Sequence, residues 1–385
     1  MPVIESFSDV LSWASDLEPE ARQQAIETAS MPFVVKPIAL MPDAHFGLGA
    51  TVGSVVATQG AILPAAVGVD VGCGMVAVRL KLTSADLPDN LDALHSLISA
   101  AIPSGVGKGF DQANNASSVP LYAHAELTHK QEKTARTQMG TLGSGNHFVE
   151  VCLDEKDRVW IVLHSGSRGI GNQLAKMHIE KAKGLMKDWL ITTPNPDLAY
   201  IPECDPAFKN YIDDLLWGQA YAFANRSVMM SAAIKAVNRF MGYPVKVMDS
   251  VNCHHNFAQL EHHHGKNVWV TRKGAIKAAA GDKGVIPGSM GAASYITKGL
   301  GNPSSYNSCS HGAGRRISRN KARSTFSVDD LRGAMGSTSW NKDDAVKLLD
   351  EHPGAYKNID QVMANQTDLA KIVHTLHQIL NYKGV

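Results

Sequence analysis

The sequence has almost no charge bias. Its 37 Lys+Arg against 36 Asp+Glu leave a formal net charge of +1, and no block of either sign stands out, which excludes a disordered nucleic-acid-binding tail. Any contact with a polyanion must come from a local folded surface. Long hydrophobic runs are missing too. No stretch approaches the roughly 18 apolar residues of a membrane span, and the start, MPVIESFSDVLSW, lacks a basic segment followed by an apolar run. A soluble cytoplasmic protein is expected. The five cysteines, at 73, 152, 204, 253 and 309, are odd in number and follow no disulfide-like spacing. Reduced thiols are expected, any of which could bind metal. No GxGxxG follows a strand pattern and no GxxxxGKS opens a helix pattern, which removes the dinucleotide and P-loop readings. Internal repeats and low-complexity tracts are absent.

What is present is apolar bulk and histidine. With 385 residues, 44% of them hydrophobic, the chain can bury a large core, and its length alone permits two or three domains. Val76, Val78, Leu80 and Leu82, with Arg79 and Lys81 between them, have the period of a half-buried strand, and Val159 to Leu163 reads as a buried one. The spacing of Ile212, Leu215, Leu216, Phe223, Met230, Ile234 and Val237 predicts a long surface helix with no special chemistry. A second helix is predicted after Ile359, with Val362, Met363, Leu369, Ile372, Val373, Leu376 and Ile379 on one side. Pro103 to Ser118 reads as an exposed loop. Strands and helices interleave without a regular βαβ rhythm, so an irregular α+β fold is expected.

The glycines concentrate in segments that carry His, Asn, Cys and Ser, and close ligand approach needs residues without a Cβ. Val69 to Met75 places Asp70 and Cys73 three positions apart across glycine, a donor pair suited to manganese, zinc, iron or cobalt more than magnesium. Gly140 to Glu150 leads through glycines to Asn146, His147 and Glu150, a loop whose amides can cradle phosphate beside a ligand imidazole. His164 follows the Val159 to Leu163 run, and Arg168 close by is a phosphate candidate. In Asn252 to Asn256 two histidines are adjacent, so at most one of His254 and His255 can face a common centre. His262 to His264 look like a solvated run. Gly284 to Gly291, Ser294, and then Ser308 to Arg315 form the most informative stretch. His311 there has no carboxylate beside it in sequence and could be a nucleophile toward phosphorus as readily as a ligand, with Arg315, Arg316 and Arg319 as a phosphate-binding edge.

Taken in order, Pro42-Asp-Ala-His-Phe-Gly47, Gly68-Val-Asp-Val-Gly-Cys-Gly-Met75, Gly143-Ser-Gly-Asn-His-Phe148, His164-Ser-Gly-Ser-Arg-Gly169, Cys253-His-His-Asn256, Pro287-Gly-Ser-Met-Gly291 and Ser310-His-Gly-Ala-Gly-Arg315 closely resemble the RtcB family of RNA ligases. The resemblance runs from about Ala21 to Tyr382-Lys-Gly384. It implies a single α+β catalytic domain over 1–385, with irregular mixed sheets and surrounding helices around a central metal and nucleotide pocket. It implies two manganese ions sharing Cys73, with His147 completing one site and Asp70, His164 and His255 the other. His311 becomes the residue that carries GMP. The guanylate pocket maps to Asn146, His147, Phe148, Val149, Glu150, His255, Asn256, Pro287, Gly288, Ser289, Met290, Ser294, His311, Gly312, Ala313, Gly314 and Lys383, the last of these toward guanine. Arg168, Arg315 and Arg319 become RNA or phosphate contacts. The implied partners are GTP and RNA ends, a 3′-phosphate or 2′,3′-cyclic phosphate and a 5′-hydroxyl, with a monomer favoured. One departure is Leu48, where the family often has lysine after His-x-Gly, and Pro103 to Tyr122 is short for the family. Two other readings are a metal-dependent RNA-end phosphohydrolase without a covalent nucleotide and an RNA-binding protein with a structural metal.

Overall fold

The structure, a computed structural model, describes residues 4–110 and 127–385. The fold is α+β and is built on two large sheets. The first has six strands in the order Glu5–Phe7, Val10–Ser12, Val34–His45, Val52–Thr58, Lys266–Lys273, Asn256–His263. The second, of eight strands, follows the path Val247–His254, Gly74–Thr83, Arg158–Ser165, Phe148–Asp154, Ala370–Lys383, Ser294–Gly299, Lys283–Ile286, with Ser339–Trp340 added beside Ala370–Lys383. Half of the loop reading at Pro103 to Ser118, residues 111–118, lies outside the described residues.

Both faces of the second sheet are covered. Val76, Val149, Val151, Ile161 and Leu163 pack on Met229, Met230 and Ala233 of the helix Pro206–Met241, while Met75, Phe148, Cys152, Trp160 and Val162 pack on Val285, Ile296 and Leu376. Each such aliphatic side chain contributes about 1.5–3 kcal/mol when fully buried. This two-sided cover is why Val159 to Leu163 reads as an unbroken apolar run. In Gly74–Thr83 the expected alternation survives only toward the end, where Arg79 is half-buried and Lys81 exposed.

Helix Pro206–Met241 starts as its sequence dictates. Asp205 accepts from the Ala207 amide at 2.8 Å, Pro206 fills the first turn, and Gly242 ends the helix in the left-handed region at φ 79°. It is not a surface helix, however. Ala222, Asn225, Arg226, Met229, Met230 and Ala233 are buried, whereas Leu216 and Phe223 are exposed. Ile212, Leu215, Met230 and Val237 are buried as their spacing predicts, and small and polar residues, Arg226 among them, share that inward side.

The second predicted helix is also corrected. Only Ile359–Ala364 is helical; Ala370–Lys383 is a strand between Phe148–Asp154 and Ser294–Gly299. A register shift between Gln378 and Leu380 switches the inward face, so Leu376 and Leu380 join different core clusters. Four-residue spacing of that kind mimics a helix in the sequence. In the 262–264 run, His262 and His264 are exposed as expected, but His263 is buried with its Nε2 2.8 Å from Glu261.

Candidate active site

Antiparallel register sets where the chemistry gathers. His254 pairs with Gly74, Gly74 with Ser165, His164 with Phe148, and Phe148 with Lys383. Cys73, His147, His164, His255 and Lys383 therefore meet at one end of the second sheet. His255 is the single residue between the strand Val247–His254 of the second sheet and Asn256–His263 of the first.

Two donor groups result, each with its ligand atoms within 4.8 Å of one another: Cys73 with His164 and His255, and Cys73 with Asp70 and His147. The Cys73 Sγ is 3.3 Å from His164 Nε2 and 3.4 Å from His147 Nε2, and the Nε2 atoms of His164 and His255 are 3.3 Å apart. Asp70 lies 3.1 Å from His147 Nε2. The sharing of Cys73 agrees with the sequence expectation. The division of the rest does not, because Asp70 sides with His147, leaving His164 and His255 together. Asp70 belongs to the turn that carries Cys73 but leans toward the Gly143 to His147 loop. Gly166 admits it, since a Cβ there would overlap the Asp70 carboxylate.

The donors fit a borderline divalent cation. His164 Nδ1 lies 3.0 Å from the Asn146 carbonyl. Donation there keeps the proton on Nδ1 and turns the Nε2 lone pair toward the thiol. Nδ1 of His147 lies 3.1 Å from the Leu142 carbonyl, which it shares with the Arg168 guanidinium 2.8 Å away. Burial, then neighbouring imidazoles (and His311, for His255), hold the pKa values of His164 and His255 well below the usual histidine value. Their nitrogens are thus free to bind metal. Burial, then Asp70, pushes the Cys73 thiol well up. For Asp70, burial raises the pKa, but His147 and Arg168 more than offset it and keep the carboxylate ionised.

His311 faces this cluster, its ring edge-on to His255 at 4.9 Å between centroids. Behind it is fully buried Asp43, whose Oδ2 lies 2.6 Å from His311 Nδ1 and accepts from the His311 and Gly312 amides at 3.1 Å. Burial pushes the Asp43 pKa up, but His311 pulls it below the ordinary value. The backbone allows the approach because Gly314, at φ 73°, packs on Asp43 where a Cβ would collide.

A cavity of about 310 Å³ opens in front of His311. Asp70, Cys73, His164, His255, Asn146, Phe148, Glu150, Asn256, Pro287 through Met290, Gly312 through Arg315, Arg319 and Lys383 line it. Burial raises the Glu150 pKa to about 8 despite Lys383 and an Asn381 amide 2.8 Å away. Arg315, Arg319, Lys383 and Tyr356 share a carboxylate, Glu351, just outside the lining.

Comparison with known proteins settles the relationship. The family model described as tRNA-splicing ligase RtcB matches residues 24–121 and 110–384. The chain belongs to the RtcB family. It is 46% identical to the RNA-splicing ligase RtcB of Escherichia coli K12, over 96% of this chain and 95% of the relative, and 47% identical over the same shares to RNA-splicing ligase RtcB1 of another Escherichia coli strain. The tRNA-splicing ligase RtcB of Pyrobaculum aerophilum is 29% identical over 94% of this chain and 90% of its own.

Most residues that the family resemblance singled out are brought together, but not all into the same cavity. His147 and Arg168 line a second cavity, of about 630 Å³, which reaches Asp70 from the other side. Val149 points into the core beneath the strand, opposite to Phe148 and Glu150. Buried Ser294 supports the Pro287 loop from behind, its hydroxyl 3.4 Å from the Gly288 amide. His254 turns away from the cluster toward the Gly72 carbonyl, as adjacency to His255 required. Arg316 is exposed and lines neither cavity. Where the family often has lysine, Leu48 is exposed, and the Lys273 ammonium reaches its carbonyl from the cavity side.

Three important positions escaped sequence reasoning. Asp43 sits in a quoted motif, yet nothing in the sequence pairs it with a residue 268 positions away. Glu351 gives no motif at all. Arg226 had a readable signal, a charge on the inward stripe of a helix. Wholly buried, it donates to the carbonyls of Gly72 and Ser165 at 2.8 and 3.1 Å and to Asn252 at 2.8 Å, and reaches His254 Nδ1 at 3.1 Å. One guanidinium thereby clamps the neighbours of Cys73, His164 and His255. Arg226→Met strands those acceptors and is expected to cost about 3–5 kcal/mol, read as a lower denaturant midpoint. An unchanged midpoint would show the clamp to be dispensable.

Glu351 offers a pH test. Burial pushes its pKa up, but Lys383 and Arg319 more than offset that and lower it from 4.5 to about 2. A depressed folded-state value means that the pairing stabilises above about pH 4.5 and is lost as pH falls through 2. The melting temperatures of the wild type and Glu351→Gln should differ at neutral pH and converge across that window. A gap that persists at pH 2 would assign the difference to something other than charge.

Proposed function

We propose that this protein is a GTP-dependent RNA ligase that joins a 3′-phosphate or 2′,3′-cyclic phosphate end to a 5′-hydroxyl end, in RNA repair or tRNA splicing, through a histidine-GMP intermediate. The observation that carries this is the position of His311, which lies against a buried carboxylate and faces both a cavity lined by Arg315, Arg319 and Lys383 and a thiol-imidazole cluster. The names of the relatives support ligation. We read residues 1–385 as one catalytic unit, in the cytoplasm, where its cysteines, unpaired in the structure, stay reduced.

Asp70, Cys73, His147, His164 and His255 would hold two manganese ions, which when bound withdraw charge from phosphoryl oxygens. The Asp43 carboxylate, 2.6 Å from His311 Nδ1, would keep the ring proton on Nδ1 and so leave the Nε2 lone pair for phosphorus. Nε2 attacks the α-phosphorus of GTP, the bond to the β-phosphate oxygen breaks, and pyrophosphate leaves. Asp43 then faces the cationic phosphoramidate ring and stabilises it. Asn146 and Arg315, which line the cavity, would hold phosphate oxygens, and Lys383 would meet the guanine. Next, the RNA 3′-phosphate, opened first by water where it was cyclic, takes GMP from His311, and the 5′-hydroxyl attacks that activated end and expels GMP. Arg168 and Arg319 border the cavities where RNA phosphates would lie, so binding weakens as salt rises.

The test supplies manganese, GTP, an RNA ending in a 2′,3′-cyclic phosphate and an RNA with a 5′-hydroxyl. A joined product that requires GTP is expected. Opening of the cyclic phosphate without joining, and without nucleotide on the protein, would replace the ligase by a phosphohydrolase.

A further inference from the structure

The nucleotide cavity has four groups with something in common that none of them shows alone. Lys383, Arg315, Arg319 and Tyr356 line it, and all four converge on one carboxylate that does not. Glu351 is 2% exposed. Its Oε2 is 2.6 Å from the Lys383 ammonium and accepts from the Tyr356 hydroxyl at 2.7 Å, while its Oε1 meets Arg319 Nη1 at 2.5 Å and lies 3.6 Å from Arg315 Nη1. Asp350 takes the outward side of the same cluster, pairing with Arg319 at 2.6 Å and Arg323 at 3.2 Å. A lysine has a long, rotatable stem and three donors. Left alone in a cavity that binds a triphosphate, its ammonium would follow the phosphates. Here it is held instead by Glu351, with its nitrogen 5.4 Å from the centroid of the Phe148 ring.

We infer that Glu351 is a positioning residue that sets base selectivity, by pinning the Lys383 ammonium at the base end of the cavity and keeping it away from the phosphates. An ammonium only donates hydrogen bonds. Held where it meets the edge of a purine, it favours a carbonyl oxygen at position 6 and disfavours an amino group there. The inference rests on the reading of this cavity as the GTP site, and deepens it by naming what makes the site prefer one purine.

The experiment measures covalent labelling of the full chain with manganese and either α-labelled GTP or α-labelled ATP, for the wild type, Glu351→Gln, Lys383→Met and the double variant. A charge-assisted hydrogen bond lost from a buried site is worth about tenfold or more in binding. Glu351→Gln should therefore raise the GTP concentration for half-maximal labelling, lower the GTP-to-ATP preference about tenfold, and leave the rate at saturating GTP within about twofold. In the Lys383→Met background the same change should lower the preference no further, because the effect travels through Lys383. An unchanged preference, or two effects that multiply, would overturn the inference, since a merely structural carboxylate would reduce the active fraction for both nucleotides alike. Should Glu351→Gln not fold, Glu351→Asp, which keeps the charge but draws it back from Lys383, is read by the same ratio. Wild type that takes label from neither nucleotide would remove the GTP reading and this inference together. Labelled wild type with an unaltered ratio in the variants removes this inference alone.

Discussion

His311→Ala should take up no nucleotide from labelled GTP and should join no RNA ends. Among the residues facing the cavity and the metal donors, His311 has an imidazole backed by a buried carboxylate rather than by a backbone carbonyl. Loss of a covalent nucleophile removes a step and not merely a contact, so labelling should fall by at least about a thousandfold, to background. Asp43→Asn is the informative companion. Its remaining side-chain oxygen can still accept from the two amides, so the loop should keep its shape, but the charge that orients His311 and faces the charged ring is gone. A fall of about a hundredfold in labelling rate is expected, with folding intact. Label that survives alkaline treatment and denaturing electrophoresis on His311→Ala would place the nucleotide elsewhere and end the mechanism.

Cys73→Ala should empty both metal positions at once. Its sulfur belongs to both donor groups, whereas His147 belongs to one and His164 and His255 to the other. Metal analysis after dialysis against manganese should therefore give roughly two ions per chain for the wild type, near none for Cys73→Ala, and an intermediate content for His147→Ala. Because a bound cation stabilises the fold in proportion to the logarithm of its excess, manganese should raise the melting temperature of the wild type and leave that of Cys73→Ala almost unmoved. Full occupancy in Cys73→Ala would mean that the thiol is a bystander.

The segments that gather at the candidate site were legible because glycine-rich turns mark them. Those loops need particular residues at particular positions, whatever the rest of the chain does. Partner assignments were not legible. Asp70 and Cys73 share a turn, which suggested nothing about which histidine Asp70 would meet, and the answer depends on where the Gly143 to His147 loop crosses it. The same holds for Asp43 with His311 and for Glu351 with Lys383, contacts between segments far apart in the chain. The fold class followed from the mixed periodicities, but one predicted helix was only partly read and another was misread. In Pro206–Met241 apolar spacing found Ile212, Leu215, Met230 and Val237 on the buried side but misplaced Leu216 and Phe223, because small and polar residues share that side. In Ala370–Lys383 apolar residues stand on both sides of a shifted strand, with Ile372 and Val373 exposed and Leu376 and Leu380 in different core clusters, so no strict alternation marks it as a strand.

The place of His255 has a mechanical meaning. A lone residue spans the step from one sheet to the next, and its ring reaches the same thiol that receives side chains from other strand ends. Filling the site would bolt the two sheets together at their shared seam, and emptying it would let them slide. Amide exchange along Val247–His254 and Asn256–His263 should therefore slow when manganese is added, with the change fading along each strand away from the seam.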